Sequence, residues 1–230
     1  MKKLIKIGLL AVFFVMASCT TDADDDSDDW NAAEVCPENG TNAYGMPNRG
    51  TFVDERDGRV YKYTTIGDQV WMAENLKYEA ENSECYTEMD NYCEIFGRFY
   101  NFIVKENYEY SGKTDLSLMD SVCPNGWHVP SMDEWKFLID KMGGDSEQAV
   151  FRLNGRFYWG MDQKMGSDEC FFNIIPSGRF NGSLHSIFDY AEFAIRYVDS
   201  KGNGYKIGFG TGIFFESNNS YELMVRCIRD

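Results

Sequence analysis

The sequence has little of what most catalytic and metal sites are built from. Only two histidines, His128 and His185, occur in 230 residues. There is no Cys-x-x-Cys pair, and neither histidine stands at finger spacing from paired cysteines, so a structural zinc site finds poor support. No nucleophile elbow of the G-x-S-x-G kind occurs, nor the ligand spacing of an EF-hand loop. Basic residues are scarce: 22 Lys and Arg against 37 Asp and Glu give a formal net charge of −15. Phosphate backbones are held by basic faces, so no nucleic acid partner is expected. The one long apolar run, Ile7 to Met16, falls short of the roughly 17–25 residues of a membrane-spanning helix.

What is present begins at the N-terminus. Met1-Lys2-Lys3-Leu4-Ile5-Lys6, the short apolar run and then Ala17, Ser18 and Cys19 have the layout of a secretory signal peptide. Met16 to Cys19 is similar to a bacterial lipobox, with residues 1–18 as the leader and Cys19 as the lipid attachment site. An ordinary secretory signal with a chance cysteine is the alternative. Several acyl chains on Cys19 would anchor firmly, since each buried methylene contributes about 0.8 kcal/mol. Thr20 to Asp29 then packs six aspartates into a run that repels itself and buries no core, a solvated tether. Acid directly after a lipidated cysteine also resembles the surface-export tag of Bacteroidota-type lipoproteins. Losing the leader removes Lys2, Lys3 and Lys6, which takes the formal charge from −15 to −18.

Beyond Cys19 six cysteines remain: Cys36, Cys85, Cys93, Cys123, Cys170 and Cys227. An even number in an exported chain reads as a disulfide set, with fifteen possible connectivities. Residues 30–50 carry Pro, Gly and Asn without periodicity and read as a lead-in loop, so that 19–49 form tether and lead-in and 50–230 the domain. "TFVDERDGRVYKYTTIGDQVWMAENLKYE" reads as a hairpin or meander turning at Asp57-Gly58 and Gly67-Asp68. Ile95, Phe96, Phe99, Tyr100 and Ile103 recur at helical spacing and predict a first helix near 94–105.

The strongest local signal follows. Ser131 and Glu134 form a capping box, Trp135, Leu138, Ile139 and Met142 make one apolar stripe, and Gly143-Gly144 stops the helix. A weaker helical patch covers 146–153. Later, "CFFNIIPSGRF", "FAIRYVD", "GYKIGFG" and "LMVRCIRD" read as strands between turns. The order of strands, two helices, then many strands indicates α+β: two main helices on mostly antiparallel short strands with long loops.

Four stretches in order, "FVDERDGRVYKYTTIGDQVWMAENLKY", "CPNGWHVPSMDEW", "FFNIIPSGRFNG" and "VRCIRD", resemble the Fibrobacter succinogenes major paralogous domain family. That family resembles, in fold, C-type lectin-like domains and formylglycine-generating enzymes, whose helix-opening G-x-x-(L/V)-P-(S/T)-x-x-E-W pattern matches Gly126 to Trp135. The resemblance implies a disulfide-stapled, C-type lectin-like fold in which Cys123 pairs with Cys227. It leaves Cys85 with Cys93 as a local clip, and Cys36 with Cys170 as the remaining pair. Trp127 and Trp135 are then core residues, and His128 a packed, hydrogen-bonded one.

The resemblance further implies an outer-membrane lipoprotein, facing the cell surface or the periplasm, whose loops bind glycan or protein. Tyr158, Trp159, Phe180, His185, Tyr190 and Tyr205 are the candidate contacts, since aromatic faces stack on sugars. No cofactor and no catalysis are expected. The Glu-Pro-Asn and Trp-Asn-Asp triplets of calcium-dependent lectins are absent. A structural envelope protein is the first alternative. An enzyme of the formylglycine-generating type is the second, though no close cysteine pair supports it.

Overall fold

The structure is a computed structural model and describes residues 29–106, 109–160, 165–218 and 220–230. The expected leader, Cys19 and the tether up to residue 28 lie outside the described residues.

After one helical turn, α1 (Ala32–Val35), come β1 (Arg49–Val53), β2 (Val60–Ile66) and β3 (Gln69–Met72). Next are β4 (Ser83–Glu84), α2 (Tyr92–Phe96), β5 (Phe99–Tyr100), β6 (Ile103–Glu106), β7 (Glu109–Thr114) and α3 (Leu116–Val122). β8 (Trp127–His128) leads into α4 (Met132–Lys141) and α5 (Glu147–Leu153). The last part holds β9 (Arg179–Phe180), β10 (Leu184–His185), β11 (Ala191–Val198), β12 (Gly204–Phe209), β13 (Ile213–Asn218) and β14 (Ile228–Arg229). The chain is thus mixed α and β, with short helices and small antiparallel sheets stapled by disulfides.

The largest sheet has the order β1-β2-β3-β14-β8, so the C-terminal strand slots between β3 and β8. Cys123 and Cys227 sit just ahead of β8 and β14, and their disulfide ties these neighbours together. β11, β12 and β13 form a second sheet.

α4 forms where its signals put it. Ser131 accepts from the Glu134 amide while the Glu134 carboxylate accepts from the Ser131 amide, the reciprocal box. Gly144 N donates to Ile139 O and Gly143 N to Asp140 O, the paired bonds of a Schellman stop. All four stripe residues are buried, and Trp135 meets Trp71 at 4.8 Å between centroids. Phe172 stands edge-on to both indoles, so three of the distant motif stretches meet in one aromatic knot. The patch at 146–153 also folds as expected, with Ser146 capping α5.

Other expectations fail. The helix over 94–105 does not form: α2 ends at Phe96, and β5 and β6 take the rest. Gly97 has φ +92, and a Cβ there would lie 2.7 Å from the Asn75 Cβ. The close approach of the 75–76 segment turns the chain before the apolar spacing can continue as a helix. Of the two main helices expected, α4 alone has its predicted extent. "CFFNIIPSGRF" is irregular until β9, because Ile174 bonds Leu153 and Gly155, Pro176 bonds Phe188 and Gly178 bonds Tyr190 in isolated contacts that never extend into a ladder. The lead-in loop carries α1, whose cap is the Asn31 side chain.

Candidate functional site

A pocket of about 370 Å³ opens between the first two strands and the loop that follows α5. Arg49 and Gly50 of β1, Lys62 and Tyr63 of β2, and Ala73 and Glu74 beyond β3 form one wall. Phe157, Asp168, Phe171 and Asn173 form the other. Gly50 lies opposite Tyr63 in the ladder, and a Cβ at Gly50 would stand 2.7 Å from the Tyr63 hydroxyl. Glycine therefore lets the phenol lie over β1 at the pocket.

The opposite wall is unusual backbone. Asp168, Phe171 and Asn173 all have left-handed φ, at 51°, 56° and 55°. Such conformations cost of order 1 kcal/mol or more each in non-glycine residues and persist only where surroundings over-determine them. Four restraints do so here. The Cys36–Cys170 disulfide ties the loop to the N-terminal segment. Thr64 Oγ1 donates to Cys170 O at 2.6 Å. The Asp168 carboxylate accepts from Asn173 N at 2.7 Å. The fourth restraint is Arg226, wholly buried, which donates to the carbonyls of Phe172 and Asn173 and, through Nε and Nη2, to Asn75 Oδ1.

These restraints decide which way two adjacent phenylalanines face. Phe172 is buried against the indoles and the Arg226 guanidinium, while Phe171 is 55% exposed. Arg49 covers one face of the Phe171 ring at 4.0 Å. Phe157 is 70% exposed beside it. Burial pulls Arg226 down to about 9, with Asp168 as the main counter-charge that opposes this. Burial likewise pushes Asp168 up to about 6, against the Asn173 amide and the nearby arginines. The pocket thus offers aromatic surface beside a phenol, an amide, a carboxylate and a lysine.

None of the six aromatic and histidine candidates lines this pocket. Tyr158 is exposed, with φ +73 and its ring edge-on to Phe96. Trp159 and Phe180 are buried, and Phe180 stacks on Phe99, so these two are core residues. His185 bonds Asn181 at 2.8 Å and meets Tyr221 edge-on. Tyr190 lies on a different pocket beside Phe214, and Tyr205 packs edge-on to Tyr197. Phe157, Phe171 and Asp168 were not among the candidates. The doubled Phe between Cys170 and Asn173 was the one trace of Phe171 in the sequence, and it did not say which ring faces out.

The disulfides join Cys36 to Cys170, Cys85 to Cys93 and Cys123 to Cys227. His128 is half-buried between two carboxylates, with Nε2 at 2.8 Å from Glu134 and Nδ1 at 2.6 Å from Asp230. The bond to Glu134 first, and that to Asp230 second, raise its pKa despite burial. Burial raises the Glu134 carboxyl, but the bonds from His128 and Ser131 outweigh it and its pKa falls. Both ring nitrogens are committed, so His128 clamps the C-terminal strand to the α4 cap.

A histidine whose folded pKa is raised stabilises below its unfolded value of about 6.5, and that stability is lost as pH climbs through the folded value. The Tm should therefore fall as pH rises from about 6 to about 8, by the equivalent of up to about 1 kcal/mol for a half-exposed pair. His128→Gln should flatten this slope. An unchanged slope in the variant would remove His128 as its source.

Among the described residues no helix is long and apolar enough to cross a membrane. Searches of curated proteins and of solved structures each found no match. The profile of the Fibrobacter succinogenes major domain (Fib_succ_major) matches residues 64–229, from the middle of β2 to the end of β14. With most of its length matched, and with Trp71, Trp135, Phe172 and Arg226 of the matched span meeting in one core, the chain belongs to the Fibrobacter succinogenes major domain family.

Proposed function

We propose that this chain is an exported lipoprotein, anchored to the outer membrane through Cys19, whose C-type lectin-like domain binds glycan without catalysis in the Phe157–Phe171 pocket. The observation that carries this reading is the loop at 168–173. A disulfide, a buried arginine and an Asp side chain hold its strained backbone, and the outcome is an exposed ring above a pocket. A large apolar ring placed in water at such conformational cost is a recognition surface. Sugar rings present C–H faces to aromatic groups and hydroxyls to carboxylates, amides and phenols, which Asp168, Asn173 and Tyr63 supply. The absence of a free thiol among the six described cysteines favours binding over thiol oxidation.

A glycan array probed with the purified mature chain should give hits that Phe157→Ala and Phe171→Ala each weaken about tenfold, or roughly 1.4 kcal/mol. The same chain with Cys19→Ser should leave the membrane fraction. Glycan binding that survives the double Phe variant would remove this pocket as the site, and no binding to any glycan would favour the structural envelope role.

A further inference from the structure

The second sheet carries its own unexplained feature. Alternation along β11, β12 and β13 turns Phe193, Ile195, Ile207 and Phe209 into the core. Glu192, Lys206 and Glu216 occupy the other face, with Lys206 directly opposite Glu216. Glu192 and Lys206 are buried, at 1% and 3% exposure. Four charges alternate in sign across this face: Arg179 Nη1 to Glu192 at 2.8 Å, Glu192 to Lys206 Nζ at 2.8 Å, and Lys206 Nζ to Glu216 at 3.5 Å. Stability does not require such a series, since desolvating buried charges can outweigh their attraction and apolar residues of like volume serve as well or better.

The two ends of the series are the accessible ones. The Arg179 side chain is 27% exposed and that of Glu216 is 58% exposed. Both line a second pocket, of about 500 Å³, together with Ser186, Tyr190, Glu192 and Phe214. Two glycines admit its aromatic wall. A Cβ at Gly208 would lie 1.9 Å from the Phe214 ring, and one at Gly210 would lie 2.6 Å from the Tyr190 ring. The rings meet edge-on at 5.8 Å.

The charges here balance, two of each sign, but they are displayed with a cation at one end and an anion at the other. A lone anion drawn to Arg179 would meet Glu192 and Glu216, and a lone cation drawn to Glu216 would meet Lys206 and Arg179. A ligand carrying both signs, spaced apart, still passes Glu192 at one end and Lys206 at the other, but each repulsion is offset by the attraction its opposite charge makes at the far end. The contacts of 2.8, 2.8 and 3.5 Å that link the ends bound their separation from above, at about three extended residues of about 3.3–3.6 Å each.

We propose that this pocket binds the zwitterionic form of a short peptide. Its free carboxylate lies at Arg179, its ammonium at Glu216, and an apolar side chain rests against Tyr190 and Phe214. The site shares no residue with the glycan pocket and stands independently of it.

Calorimetric titration of the full mature chain with glycyl-phenylalanine, its N-acetyl form and its C-terminal amide tests this. The free dipeptide should bind, and each cap should weaken binding about tenfold, as loss of one charge-assisted contact does. Glu216→Gln should erase the penalty of N-acetylation while leaving that of amidation. Arg179→Gln should do the converse. If the Arg179 variant does not fold because Glu192 loses a partner, the exposed Glu216 variant still decides the matter. Equal affinity for all three forms, no binding of the free dipeptide at millimolar concentration, or an acetylation penalty that persists in Glu216→Gln would each overturn the proposal.

Discussion

Arg226→Met should lower unfolding stability by about 2–4 kcal/mol and loosen the Phe157–Phe171 pocket at the same time. The guanidinium is wholly buried and supplies donors to Asn75 Oδ1 and to the carbonyls of Phe172 and Asn173. Methionine fills much of the volume but donates nothing, leaving two buried acceptors, Asn75 Oδ1 and Phe172 O, unpaired at about 1–3 kcal/mol each, and the part-buried Asn173 O at less. Relief of burying the charge offsets part of that sum, since desolvating an ion costs several kcal/mol. Arg226→Lys should fall between the two, keeping the charge but losing the planar fork that reaches both Asn75 and the loop. Urea midpoints at constant slope measure the loss. A shift worth less than about 1 kcal/mol in the methionine variant would mean that the Cys36–Cys170 disulfide and the Thr64 and Asp168 hydrogen bonds hold the loop without Arg226.

Replacing Cys123 and Cys227 together by alanine should cost about 4–5 kcal/mol. Their separation is 104 residues, and the chain-entropy treatment assigns about 4.7 kcal/mol to closing a loop of about that length. The bridge also secures β14 between β3 and β8, where its pairing amounts to three residue matches. The Cys85–Cys93 pair closes only 8 residues, so its double alanine variant should lose nearer 2–3 kcal/mol. Equal losses for the two pairs in denaturant unfolding would show that local strain or packing, not loop closure, sets the contribution.

How much of this was legible beforehand varies with the range of the interaction. α4 was readable because Ser131 and Glu134 serve each other within one turn and Gly143-Gly144 stops the helix at once. α5 was readable for the same reason, through Ser146. The helix expected over 94–105 had the right apolar spacing, yet Gly97 is turned by contact with Asn75, which no local window contains. The aromatic residues failed in a similar way. Trp159 and Phe180 have the same chemistry as Phe157 and Phe171, and the first two are buried while the last two face solvent.

The sequence by itself determined the even cysteine set, the family and the capped helix that anchors the core. Each is carried by residue identity or by contacts between near neighbours, which a linear chain displays. Only the tertiary structure decided that Phe172 turns inward and Phe171 outward, and that Arg179 and Glu216 end one series of charges. The Phe171–Phe172 choice rests on Arg226 and Asn75, 151 positions apart, and the charge series joins β9 to three later strands. Exposure is a property of the assembled surroundings, so adjacent identical residues acquire opposite roles only once distant partners have closed around them.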